Sequence, residues 1–227
     1  QLGEERFRRE MECEFIIFDE TLINPLKLTE MEGVDPIERQ GQVRWYKKPT
    51  AGNIYTVALD PSLGTGGDPA AIQVVELPSM TQVAEWCHNK TPVQRQIRIL
   101  QEIIQYIGES TGSDTDTYFS VENNTLGEAA LVEIAHIGEE NFRGIFLSEP
   151  ARPGVARGYR KGFNTTNKSK IAACSKLKSW VETRKLKINS KSFVSELKNF
   201  VAHGTSFAAK IGETDDLIMA MLLAVRM

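Results

Sequence analysis

The chain has 227 residues, 41% of them hydrophobic and 25% charged, with a formal net charge of −3. That length suits one medium domain with a real core, or one domain with a small extension. The longest apolar run, at 217–225, is too short to span a membrane. Cys13, Cys87 and Cys174 are odd in number, far apart and in no CxxC pair. That argues against a disulfide framework or a zinc site and predicts free thiols in a reducing cytoplasm.

Residues 1–49 read as an approach segment. A charged, helical stretch at 4–13 precedes an apolar run at 15–18. The stretch at 1–15 reads as the middle of a longer protein. Asn24-Pro25 and residues 33–36 mark turns. A strand at 42–46 is closed by Lys47-Lys48-Pro49.

From Ile54 the pattern becomes regular. Strands at 54–59, 70–77 and 82–87 form a meander with short connections. A helix is predicted at 92–107, with Thr91 as N-cap, Pro92 in the first position and a stripe of Ile97, Leu100, Ile103, Ile104 and Ile107. A polar loop at 108–116 leads to a strand at 117–121. A helix at 126–137 and a strand at 144–147 follow. Residues 150–167 read as a long basic loop or hairpin. Helices at 168–184 and 192–201, a hairpin at 204–212 and a helix at 214–226 complete the chain. Three meandering strands followed by alternating helices and strands predict an α/β fold, a mixed sheet flanked by helices.

Charge is unevenly spread. Residues 150–191 hold twelve basic side chains and one acid, Glu182, for a net +11. The other 185 residues carry −14. One electropositive stretch on an acidic body is a candidate phosphate footprint, set against a lysine-rich solvated surface.

Three acidic positions carry the chemistry. Asp60 ends an apolar strand, Glu122 ends another, and Asp215-Asp216 opens an apolar helix. A carboxylate ending a buried strand is costly unless paired or metal-bound. Converged carboxylates bind hard divalent cations through oxygen, and two such cations suit phosphodiester cleavage. Each acid also has an ordinary reading: a turn aspartate before Pro61, a strand-end acid, and acids favoured at a helix N-terminus with Thr214 as cap. Helical geometry places Asp215 with Ile218, Met219 and Leu222, facing the sheet. Asp215 is therefore favoured as ligand, with Asp216 a close alternative. The loop Gly64–Gly67 lacks the Lys-Ser/Thr of a phosphate-binding loop. Asp68 after it is a candidate auxiliary acid or an ordinary loop aspartate. His88, His136 and His203 are scattered and form no catalytic triad.

The motifs Ala58-Leu59-Asp60-Pro61-Ser62 with Asp68, Ser120-Val121-Glu122-Asn123-Asn124 and Thr214-Asp215-Asp216-Leu217-Ile218-Met219-Ala220 resemble the C-terminal nuclease domain of the large terminase subunit of tailed bacteriophages. The stretch from Arg160 to Lys170 resembles that family's basic segment. Residues 7–15 resemble the link from its preceding ATPase domain. The resemblance covers nearly the whole chain. It implies an RNase H-like fold over 50–227, with 1–49 as the linker from a missing N-terminal ATPase domain. The implied activity is endonucleolytic cutting of concatemeric double-stranded viral DNA, with two Mg²⁺ or Mn²⁺ ions. Carried over, Asp60, Glu122 and Asp215 are the catalytic acids. Asp60 bridges the ions, Glu122 and Asp215 or Asp216 complete their shells, and Asp68 is auxiliary. Arg157, Arg160, Lys161, Lys168 and Lys170 hold DNA phosphates without reading bases. The implied partners are the ATPase domain of the same polypeptide, the small terminase subunit and the portal, in the cytoplasm of the infected host. A Holliday-junction resolvase-like or transposase-like nuclease would use the same acids. A non-catalytic DNA-gripping or portal-docking module is the rival from another class, and a nucleotide-binding module around Gly64–Gly67 is a distant third.

Overall fold

The structure, a computed structural model, describes residues 21–124, 127–150 and 161–227. The expected helix at 4–13, the run at 15–18, Cys13, Arg157, Arg160 and most of the basic loop lie outside the described residues.

Nine strands and six α-helices are described. In chain order they are α1 (Pro25–Glu30), β1 (Glu38–Gln40), β2 (Val43–Trp45), β3 (Ile54–Asp60), β4 (Ala70–Leu77), β5 (Thr81–His88), α2 (Val93–Thr111), β6 (Thr117–Val121), α3 (Gly127–Ile137), β7 (Ile145–Phe146), α4 (Asn167–Glu182), α5 (Lys191–Lys198), β8 (Phe200–His203), β9 (Ser206–Ala209) and α6 (Asp216–Arg226). Seven strands make one mixed sheet in the order β1-β2-β5-β4-β3-β6-β7. Pairs from β1 to β3 are antiparallel, whereas β3–β6 and β6–β7 are parallel.

Two cores explain why the central strands read as continuous apolar runs: both of their faces are covered. Tyr55, Val57 and Leu59 of β3 and Phe119 and Val121 of β6 pack with Ile97, Leu100, Ile103 and Ile104 of α2 and Ala130 and Ile134 of α3. On the other face, Ala71 and Val75 of β4 pack with Leu177 of α4, Leu197 of α5 and Ile218, Met221 and Leu222 of α6.

The α/β class and mixed sheet are as expected, and several elements differ from expectation. Residues 21–49 do not stand apart from 50–227. Leu22, Ile23 and Leu28 enter the second core, and β2 pairs with β5. Asn24-Pro25 opens helix α1, with the Asn24 carboxamide accepting from the Leu26 N–H at 2.9 Å. Helix α2 runs on through Gly108, where a β-carbon would press the Arg143 side chain. It stops at Gly112, whose φ of 73° makes the left-handed cap. The predicted polar loop is thus half helix. Thr91 does not cap α2; Pro92 occupies that position, and the Thr91 hydroxyl meets His88 Nδ1 at 2.7 Å. Helix α5 ends at Lys198, and Phe200 and Val201 pass into the hairpin β8–β9. Among the described residues no helix is long and apolar enough to cross a membrane.

Candidate active site

The site is built at the C-terminal ends of β3 and β6, the usual ligand crevice of a sheet with parallel strands. These strands are neighbours, with Leu59 opposite Val121. The Glu122 N–H donates to the Leu59 carbonyl at 2.9 Å. Side chains alternate across a strand. Since Leu59 and Val121 enter the first core, Asp60 and Glu122 turn to the opposite face, which α6 covers. Glu122 is held closely from behind: a β-carbon on Gly127 would come within 2.0 Å of its carbonyl oxygen. Only glycine lets α3 start there.

Asp60, Ser62, Asp68, Glu122, Asn124 and Asp216 line one cavity of about 300 Å³. The structure therefore brings together Asp60, Glu122, Asp68 and Asp216. Asp215 is not among the lining residues. The expected helical face for Asp215 does not form, because Asp215 is the N-cap, with φ −130° and ψ 17°, and lies outside the helix. Its Oδ2 accepts from the Ala209 N–H at 3.3 Å and stands 4.0 Å from Lys170 Nζ. Thr214 is not the cap either; its hydroxyl donates to Glu196 Oε1 at 3.2 Å.

The electrostatics are those of negative charges lacking a counter-ion. Burial pushes the Asp60 carboxyl well above its ordinary range, aided by Glu122 beside it and then by Asp216 and Asp215. Burial and then the charges of Asp215 and Asp68 raise Asp216 to about 7. Glu122 is only 6% exposed, and its Oε1 has no hydrogen-bond partner. Ser62 Oγ is likewise buried and unpartnered. Among the described residues no three His, Cys, Asp or Glu side chains already form a closed ligand set. The carboxylates surround a common space without meeting at one point. Oxygen donors of this kind and number fit a hard divalent cation.

The basic residues divide. Lys161 pairs with Glu139. Lys168 lies in the first turn of α4, exposed. Lys170 is half-buried, 5.6 Å from the Phe200 ring centroid and beside Asp215. The backbone after Lys161 is drawn to the cleft: the Phe163 N–H donates to the Val121 carbonyl at 3.1 Å, and the Asn123 N–H to the Phe163 carbonyl at 2.7 Å.

Two residues of this arrangement escaped sequence reading. Arg226, at the end of α6, donates to Glu149 Oε1, the Thr165 hydroxyl and the Asn164 carbonyl, bracing the segment behind Glu122. A basic residue in a last helical turn was its only signal, and that signal is common. Glu196 of α5 accepts from the Ile218 N–H at 3.1 Å, next to Asp216 in the helix. Nothing in its local sequence separates it from a solvated helix acid.

No family model matches the sequence. Solved structures do resemble the fold. The large terminase nuclease of thermophilic phage G20c, with bound magnesium, is 18% identical at a TM-score of 0.66, over 91% of this chain and 97% of that one. The large terminase nuclease domain of Thermus phage P74-26 is 18% identical at 0.62, over 87% and 91%. The human cytomegalovirus terminase nuclease domain is 13% identical at 0.57, over 90% and 94%. Further structures of the G20c nuclease hold cobalt or zinc. With its mixed sheet, its flanking helices and an acidic cleft at the ends of β3 and β6, the chain has the RNase H-like fold of large-terminase nuclease domains.

Proposed function

We propose that this chain is a metal-dependent endonuclease, the nuclease domain of a viral large terminase subunit, which cuts concatemeric double-stranded DNA during genome packaging. The observation that carries this reading is the cleft itself. Asp60, Glu122 and Asp216 are held in partial burial, with a buried carboxylate oxygen that no protein group satisfies. The fold is that of nucleases solved with magnesium, cobalt or zinc bound.

Asp60, at the end of β3 and in the cleft with the other acids, would hold both of two Mg²⁺ or Mn²⁺ ions. Glu122 and Asp216 would each complete the shell of one, and Asp68 on its loop would assist. Assigning Asp216 rather than Asp215 follows from the lining of the cleft. Bound cations supply charge that activates water and stabilises the leaving 3′ oxygen. The chain's own part is to aim carboxylates from two strand ends and one helix start into one space. Burial and mutual repulsion favour the protonated forms of Asp60 and Asp216, and a bound cation would favour the carboxylates instead. Lys168 and Lys170, with Lys161 and with Arg157 and Arg160, which lie outside the described residues, would hold phosphates without reading bases, so binding should be sequence-tolerant and salt-dependent. The remaining partners follow as part of the same reading: a preceding ATPase domain, the small terminase subunit and the portal, in the host cytoplasm.

The test is incubation of the protein with supercoiled plasmid and Mn²⁺ or Mg²⁺. Nicking and linearisation that EDTA stops, and that Asp60→Asn and Glu122→Gln abolish while remaining folded, supports the reading. An inert wild type, or variants that cut equally well, would leave a DNA-gripping module instead.

A further inference from the structure

The start of α6 has no capping side chain of its own. The N-cap residue, Asp215, makes no side-chain cap bond, and Thr214 points elsewhere. Free N–H groups at a helix start need a partner. Here the partner comes from another helix. Glu196 of α5 uses Oε2 to accept from the Ile218 N–H at 3.1 Å, and Oε1 to accept from the Thr214 hydroxyl at 3.2 Å. Its carboxyl therefore grips α6 on both sides of Asp215-Asp216.

Glu196 is itself rigidly mounted. The N-terminus of α5 is capped by the Ser190 hydroxyl, which accepts from the Phe193 N–H at 3.0 Å and donates to Glu85 Oε1 at 2.6 Å. The Ser190 N–H donates to Gln82 Oε1 at 2.9 Å. Gln82 donates on to Gln73, and Gln73 to the Leu217 carbonyl. A fully buried relay thus ties the starts of α5 and α6 to β4 and β5. Glu196 closes the loop from the far side.

We propose that Glu196 is a positioning residue for the metal site: its two hydrogen bonds fix the first turn of α6 and thereby aim the Asp216 carboxylate into the cleft. The role rests on the reading of Asp216 as a metal ligand. It is distinct from that reading because Glu196 does not line the cleft. Changing a residue that orients a ligand from behind typically costs about ten- to a hundredfold in metal affinity.

The experiment measures the Mn²⁺ concentration for half-maximal plasmid nicking, and the Mn²⁺ binding isotherm, beside the melting temperature in EDTA. Glu196→Ala should raise the Mn²⁺ midpoint by about ten- to a hundredfold. Glu196→Gln keeps an acceptor for Ile218 and a donor for Thr214, and should stay within about twofold of wild type. Thr214→Val, at an exposed position, removes one grip only and should raise the midpoint roughly three- to tenfold. Thr214→Val carries the test should Glu196→Ala not fold. A residue that merely caps a helix would lower the melting temperature and leave the Mn²⁺ midpoint of folded molecules unchanged. If the variants melt lower at an unshifted midpoint, the positioning role falls and the metal-site reading stands. If wild type shows no saturable Mn²⁺ response, both fall.

Discussion

The same sheet carries two sets of buried carboxylates, handled in opposite ways. Glu85 of β5 is fully buried and has Arg44 at 3.0 Å, the Tyr46 hydroxyl at 2.8 Å and the Ser190 hydroxyl at 2.6 Å. Glu76 of β4 has Lys47 and Ser79 at 2.6 Å and Tyr55 at 3.0 Å. Burial alone would raise Glu76, yet these partners hold it below its ordinary range. At the other end of β3, Asp60, Glu122 and Asp216 have one another as neighbours, and Asp60 and Asp216 are raised. Burial is common to both sets. The two sets differ in having or lacking a cationic partner, and on the proposed reading that difference separates structural acids from metal ligands.

Breaking the two sets should therefore break different properties. Asp60→Asn should remove several kcal/mol of charge stabilisation from the reaction, on the order of a thousandfold in nicking rate. Its melting temperature in EDTA should hold or rise. Glu85→Ala should do the reverse. It leaves Arg44 unpaired and should cost about 3–5 kcal/mol in denaturant unfolding. Nicking per folded molecule should persist at saturating Mn²⁺.

The adjacent aspartates sharpen the contrast. Asp216→Asn should abolish the Mn²⁺ response in nicking assays. Asp215→Asn, at the N-cap and outside the cleft, should lower it by less than about tenfold, because its carboxylate is engaged by the Ala209 N–H and Lys170 and not by the cleft. Equal losses would place both in the site.

The two sets should also oppose each other in pH. Asp216, at about 7, and Glu196, raised to about 8 by burial despite the Ile218 N–H, lie above ordinary carboxylate values. Their contribution to stability is complete below the unfolded pKa and lost as pH rises through 7 to 8. The melting temperature in EDTA should fall over that window, and Mn²⁺ should restore it. Glu76 works the other way: its contribution is lost only as pH falls below the ordinary carboxylate range. The smallest expected effect is at the surface. Lys168→Ala should weaken DNA binding uniformly across sequences and reduce the salt slope by about 1.

Much of this was legible before any coordinates. Asp60 and Glu122 stood out because a charge ending an apolar strand conflicts with its surroundings; that both share one face follows from the pairing of Leu59 with Val121, which the sequence does not show. The choice between Asp215 and Asp216 was not legible. One residue of difference in where the helix begins moves a side chain off its face, and the side chain that meets that start, Glu196, comes from some twenty residues away. Strand β1 and helix α1 are too short to show periodicity and exist through tertiary pairing. Gly108 resembled a helix stop until Arg143 packed against it.

The most direct test of the central claim is a calorimetric titration of Mn²⁺ into the metal-free protein at pH 8, beside Asp60→Asn and Glu122→Gln. The account predicts saturable binding of two ions per chain, lost or reduced in both variants. No saturable binding by the wild type, or unchanged binding by the variants, would contradict it.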